Sequence, residues 1–133
     1  MIYVFPITIP ANTPETAKLR TTLKLTRGKI TRVMVEFPPG HAGLTHLAVR
    51  RGLFQLWPVN PEATFRSSNE TIIWEEEYEL STPPYDLDAY AWNEDDTYEH
   101  TITVRIVIGP LAVQTSLIDE IKALFTGGEA AGG

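Results

Sequence analysis

Short runs of alternating apolar and polar residues predict an all-β protein, an antiparallel β-sandwich or jelly roll of about eight strands with a short C-terminal helix. Three observations carry this reading. Tyr98, His100, Ile102, Val104, Ile106 and Ile108 alternate with Glu99, Thr101, Thr103, Arg105 and Val107, and most of them are β-branched. Proline- and glycine-rich connections recur at short spacing as far as Pro110. Helical periodicity begins only after Gly109-Pro110.

Taken in order, Met1 to Ile9 sets Tyr3, Phe5, Ile7 and Ile9 against Ile2, Val4, Pro6 and Thr8. Pro6 restricts this run to an edge strand or an extended arm, spanning residues 1–14 with its Pro-rich elbow. The β domain follows over residues 15–112. Ala17 to Thr26 turns Leu19, Thr21, Leu23 and Leu25 inward, and Ile30 to Phe37 does the same with Val33, Val35 and Phe37. With Thr26-Arg27-Gly28-Lys29 between them as a turn, in which Gly28 supplies positive φ, the pair reads as a β-hairpin.

Pro38-Pro39-Gly40 stops that unit. Leu44 to Arg51 and Leu53 to Trp57, broken by Gly52, form either a second hairpin or one bulged strand. Pro58 to Glu70 is a loop by composition. Thr71 to Leu80 alternates again, with Glu76 interrupting its apolar face, and Asp86 to Trp92 is a further strand. Asn93 to Thr97 connects it to the strand that starts at Tyr98. Ser116 onward places Leu117, Ile118, Ile121, Leu124 and Phe125 on one helical stripe, giving a helix within residues 113–126 and a Gly-rich tail over 127–133.

The 133 residues suit a single domain that needs no staples. With no cysteine in the chain, disulfides and zinc–thiolate sites are excluded. The N-terminus lacks a signal peptide's basic start and cleavage site, and no apolar run reaches membrane-span length. Asn69-Glu70-Thr71 is a formal glycosylation sequon without other signs of secretion. Net charge is −6, unevenly laid out. Nine of eleven basic residues lie between Lys18 and Arg66, whereas ten of seventeen acids lie between Glu75 and Glu99. This segregation reads either as two solvated faces or as a self-complementary surface suited to repeated contacts. An acidic chain without a basic aromatic patch argues against nucleic acid as the main partner.

Catalytic patterns are missing. His41, His46 and His100 lack helical zinc-site spacing and the local HxH spacing of cupin barrels. His100 reads as a hydrogen-bonded core or rim residue. Glu75, Glu76 and Glu77 point to alternate strand faces, and Asp95 with Asp96 in a loop is the best candidate for a weak cation site. No serine elbow or phosphate-binding glycine loop is present. Trp57, Trp74 and Trp92 pack in the core unless one face exposes them as a sugar platform.

The stretch from Ile7 to Gly52, with its G-x-I-x-x-V-x-V-x-F-P-P-G passage from Gly28 to Gly40, the Trp92-Asn93 corner and the HTITVRIVI strand, resembles small β-barrel virion proteins. These are phage head decoration proteins and single jelly-roll capsid proteins. The likeness spans residues 7–108, lies in style rather than in one motif, and brings no catalytic residues with it.

The resemblance implies a non-enzymatic structural protein of the virion that self-associates as a capsid or head-decoration component. Its partners would be copies of itself and a major capsid protein lattice, with no membrane and no cofactor or metal. Outside a virion it would be a soluble protein. Tyr3, Phe5, Ile7 and Ile9 of the arm, and Leu117, Ile121, Leu124 and Phe125 of the helix, are the subunit-interface candidates. Lys18, Arg20, Lys24, Arg50 and Arg51, opposite Glu75, Glu77, Asp95 and Asp96, are the charge-complementary candidates. Whether arm and helix pack on their own subunit or on a neighbour stays open. The alternative is a carbohydrate- or ligand-binding β-sandwich module, which needs an exposed tryptophan.

Overall fold

The alternating runs become eight strands in a computed structural model that describes residues 1–111. They are β1 (Ile2–Ile9), β2 (Leu19–Leu23), β3 (Gly28–Phe37), β4 (Thr45–Arg51), β5 (Phe54–Trp57), β6 (Glu70–Leu80), β7 (Leu87–Asn93) and β8 (His100–Gly109). The expected helix and tail, with Leu117, Ile121, Leu124 and Phe125, lie outside the described residues. Among the described residues no helix is long and apolar enough to cross a membrane.

Two antiparallel four-stranded sheets form, in the orders β1-β8-β3-β6 and β2-β7-β4-β5. Each early strand pairs with its mirror in the second half of the chain: β1 with β8, β2 with β7, β3 with β6, and β4 with β5. The β3·β8 and β4·β7 pairs complete the sheets. A long antiparallel ribbon rolled onto itself produces this order, which is that of the jelly roll. The inner faces meet in one core containing Ile9, Val35, Phe37, Leu47, Leu87 and Ile106, all at most 1% exposed. Burial of each large side chain there stabilises the fold by roughly 1.5–3 kcal/mol.

The expected hairpin of Ala17–Thr26 with Ile30–Phe37 does not form. β2 lies in the second sheet and β3 in the first, and Leu25, 8% exposed, packs in the core between them. Alternation dictates which face of a strand is buried but not which strand lies beside it. Gly28 is accordingly the first residue of β3 rather than a turn residue. A Cβ there would sit 2.4 Å from Ile108 Cγ2 and 2.8 Å from the Gly109 carbonyl oxygen, so close approach of two backbones requires the glycine.

Other expectations are refined. β4 and β5 form a hairpin that is also irregular, with a register shift between Val49 and Arg50 and Gly52 at φ 60° in the turn. The three-residue spacing of Ile30 and Val33 is a β-bulge, since the register of β3 shifts between Ile30 and Arg32 against both neighbours. Tyr98 lies outside β8 and is 68% exposed rather than inward-facing, because Asp95 captures its backbone N–H in a turn (3.2 Å) before the strand begins.

Candidate functional site

At the end of the sandwich where β8 starts, the fold brings two of the three histidines together. The His41 and His100 rings lie 4.5 Å apart, and Phe37 meets His41 edge-on. His41 Nδ1 is bonded to Thr45 Oγ1 at 2.6 Å, and His100 Nε2 to Asp95 Oδ2 at 2.8 Å. The other Asp95 oxygen accepts the Thr97 and Tyr98 backbone N–H groups. The Thr97 bond, then the His100 bond and after it the Tyr98 bond, hold the Asp95 carboxyl below its ordinary range. Burial, reinforced by His100, lowers His41, while a hydrogen bond to the Thr101 backbone offsets part of that shift.

Asn93 locks the same corner. Its Nδ2 donates to the carbonyls of Ile9, Pro10 and Tyr98 (3.3, 3.3 and 3.0 Å), and its Oδ1 accepts from the Asp95 N–H (2.9 Å). The arrangement imitates a base held by an orienting carboxylate, but the hydroxyl bonded to His41, on Thr45, is fully buried beyond a His41 that is 2% exposed. No substrate could reach it, so the cluster ties the arm, β7 and β8 together. Asp95, expected as a cation ligand, has its oxygens committed to this turn and to His100.

His46 stands apart on the outer face of the second sheet. It stacks on Trp92 at 4.3 Å, and its ring nitrogens meet Thr64 and Glu94. That bond, foremost among several effects, lowers the Glu94 carboxyl. Trp57 and Trp92 are buried and Trp74 is half-buried, so none forms an exposed platform. Glu76, which seemed to spoil the apolar face of its strand, accepts the indole N–H of both Trp57 (2.9 Å) and Trp74 (3.2 Å). Among the described residues no group of three or more histidine and acidic side chains could hold a metal ion.

The rolled topology pairs the basic half of the chain with the acidic half. Arg20 meets Asp88 at 3.2 Å, Lys29 meets Glu77 at 3.3 Å, and Arg32 reaches Glu75, with its Nε at 3.0 Å. Arg51 donates to Tyr78 and to the carbonyls of Thr82 and Pro84. Asp96 accepts from Thr97. Lys18 lies over Trp92 and Arg50 over Tyr90. Lys24 is exposed beside the crossing at Leu25. The sign segregation therefore has an account within one chain.

The arm also closes in its own subunit. β1 is an edge strand on β8, with Ile7 and Ile9 in the core and Tyr3 and Phe5 packed against it. The opposite side of β1 faces outward, and sequence reading passed over it. Ile2 is 55% exposed, Val4 53% and, on the far edge strand, Ile73 57%. Cross-strand register sets Val4, Arg105, Met34 and Ile73 in one row across the sheet, with Ile2 and Val107 in the next. Arg105 is neutralised by Glu36 at 2.8 Å. A strand apolar on both faces was the available signal.

Comparison with protein-family models and with curated proteins finds no match to the chain.

Proposed function

We propose that this chain is a non-enzymatic structural protein that self-associates through the outer face of the β1-β8-β3-β6 sheet, as a shell or head-decoration component of a virion. The observation that carries the reading is the set of exposed apolar side chains, Val4 and Ile73 with Ile2 beside them, on a face whose cations Lys29, Arg32 and Arg105 are each already paired with a carboxylate. Scattered apolar residues are ordinary on a monomer, but exposed apolar residues gathered on the outer face of one sheet support an interaction surface. A second copy suits it, since apolar ends flanking a neutral Arg105–Glu36 pair are complementary to the same face turned by a two-fold axis. The jelly-roll order is one that capsid domains share with lectins and cupins, and it supports the viral setting by analogy alone.

Deleting the arm would be a poor test, because Ile7 and Ile9 belong to the core. The informative variant is Val4→Asp with Ile73→Asp, which leaves the inner face intact. Its solution mass should fall to that of the monomer while the parent chain forms a discrete larger species.

A further inference from the structure

We propose that the outer face of the other sheet, β2-β7-β4-β5, carries a binding site for a small hydroxylated carboxylate, such as a single acidic sugar unit. A cleft of about 300 Å³ lies there, at the lower end of the size range of small-molecule sites. Its lining includes Ala48, Tyr90 and Trp92 from adjacent strands, with Lys18 and Arg50 among them. Ala48 is the cross-strand neighbour of Tyr90, and its short side chain leaves room beside the ring.

Among the described residues the cations in this cleft lack anionic partners. Arg50 stands directly across from Asp88 in the β4·β7 register, but Asp88 is taken by Arg20 (3.2 Å) and Thr22 (3.3 Å). Arg50 instead lies over Tyr90 at 4.9 Å, with its Nε buried and without a hydrogen-bond partner. Lys18 lies over Trp92 at 5.1 Å. Among the described residues neither forms an ion pair. Such a pair of cations fits a carboxylate, which Arg can grip with two parallel bonds while satisfying a buried N–H.

The lining also contains Glu15 and Glu62, both exposed and acceptor-only. A bare anion would meet the cations but oppose these acids. A neutral polyol would suit the acids but leave Arg50 unmet. A molecule with one carboxylate and several hydroxyl groups satisfies both sets, and its C–H face can rest on aromatic edges. The wall is set in advance of binding, since Gln55 Nε2 donates to the carbonyls of Pro58, Asn60 and Ala63.

The test is amide-resolved NMR titration of the full chain with glucuronate, glucose and glycine in parallel. Glucuronate should give saturable shifts at Ala48, Ala63, Tyr90 and the Trp92 indole, with glucose at least about tenfold weaker. Arg50→Gln should weaken glucuronate about tenfold with the remaining spectrum unchanged, and Lys18→Gln gives the same reading should the first variant lose dispersion. Equal binding of glucose, binding of glycine alone, or no saturable shift at those positions with glucuronate would each overturn the proposal.

Discussion

Arg32 and Glu75 face each other across β3 and β6, the guanidinium Nε 3.0 Å from the carboxylate, although 43 residues separate them in the chain. The pair shows what the jelly roll does with this sequence: its basic first half is folded onto its acidic second half. Both partners are largely exposed, so the pair itself contributes no more than about 1 kcal/mol. Arg32→Ala should therefore lower stability by less than about 1 kcal/mol in chemical denaturation. Any assembly should also keep its mass when salt is raised, because the cations on the proposed contact face are paired within each chain and the contact itself is apolar.

Asn93 is a costlier residue to lose. At 1% exposure it serves three carbonyls and one backbone N–H from two segments, Ile9–Pro10 and Asp95–Tyr98. Asn93→Ala would strand these groups out of reach of water, and we expect a loss of about 3 kcal/mol measured by urea unfolding. Asn93→Asp should not rescue it, since a carboxylate cannot donate to the Ile9, Pro10 and Tyr98 carbonyls.

Acidification should weaken the fold in two steps. Burial places folded His41 below its ordinary 6.5, so the unfolded chain binds the extra proton and stability falls as pH drops below that value toward the folded one. Asp95 and Glu94, depressed below 3.8 and 4.5 respectively, contribute stability above those values that is lost as pH falls through their lower folded ones. All three act in the same direction. A denaturation series from pH 8 to pH 3 should show little change above pH 7, a first decline below about 6.5, and a steeper one in the carboxylate range. His41→Asn should remove the first decline and leave the second.

Gly28 tolerates no side chain, because the Gly109 carbonyl would lie 2.8 Å from its Cβ and is held in the sheet. Gly28→Ala should destabilise by about 1–3 kcal/mol, seen as a lower Tm. By contrast Gly40→Ala meets no neighbouring atom, and its cost should come only from its φ of 102°.

Much of the fold was legible because period-two alternation is a local property of the chain. It located about eight strands and, through Pro6, narrowed β1 to an edge strand or an extended arm. Pairing was not legible, since Leu23 and Val33 both require a core but neither names a strand partner. The bulge between Ile30 and Arg32 was not read from the sequence, and Gly28 marked a special position for a reason that only contact with Gly109 explains. Of the candidate site residues, Ile7 and Ile9 had the right chemistry for an interface but lie on the inner side of β1. Val4 and Ile73, 69 positions apart, become one row only through the β1-β8-β3-β6 order. The cleft carrying Lys18 and Arg50 depends in the same way on Asp88 choosing Arg20, a choice between two neighbours that no spacing encodes.

Solution mass, by light scattering across a wide concentration range, tests the central claim most directly. The parent chain should form a discrete oligomer whose mass is unchanged by high salt, and Val4→Asp with Ile73→Asp should be monomeric with an unaltered circular dichroism spectrum. A parent chain that stays monomeric at every concentration, or a double variant that assembles as the parent does, would contradict self-association through this face.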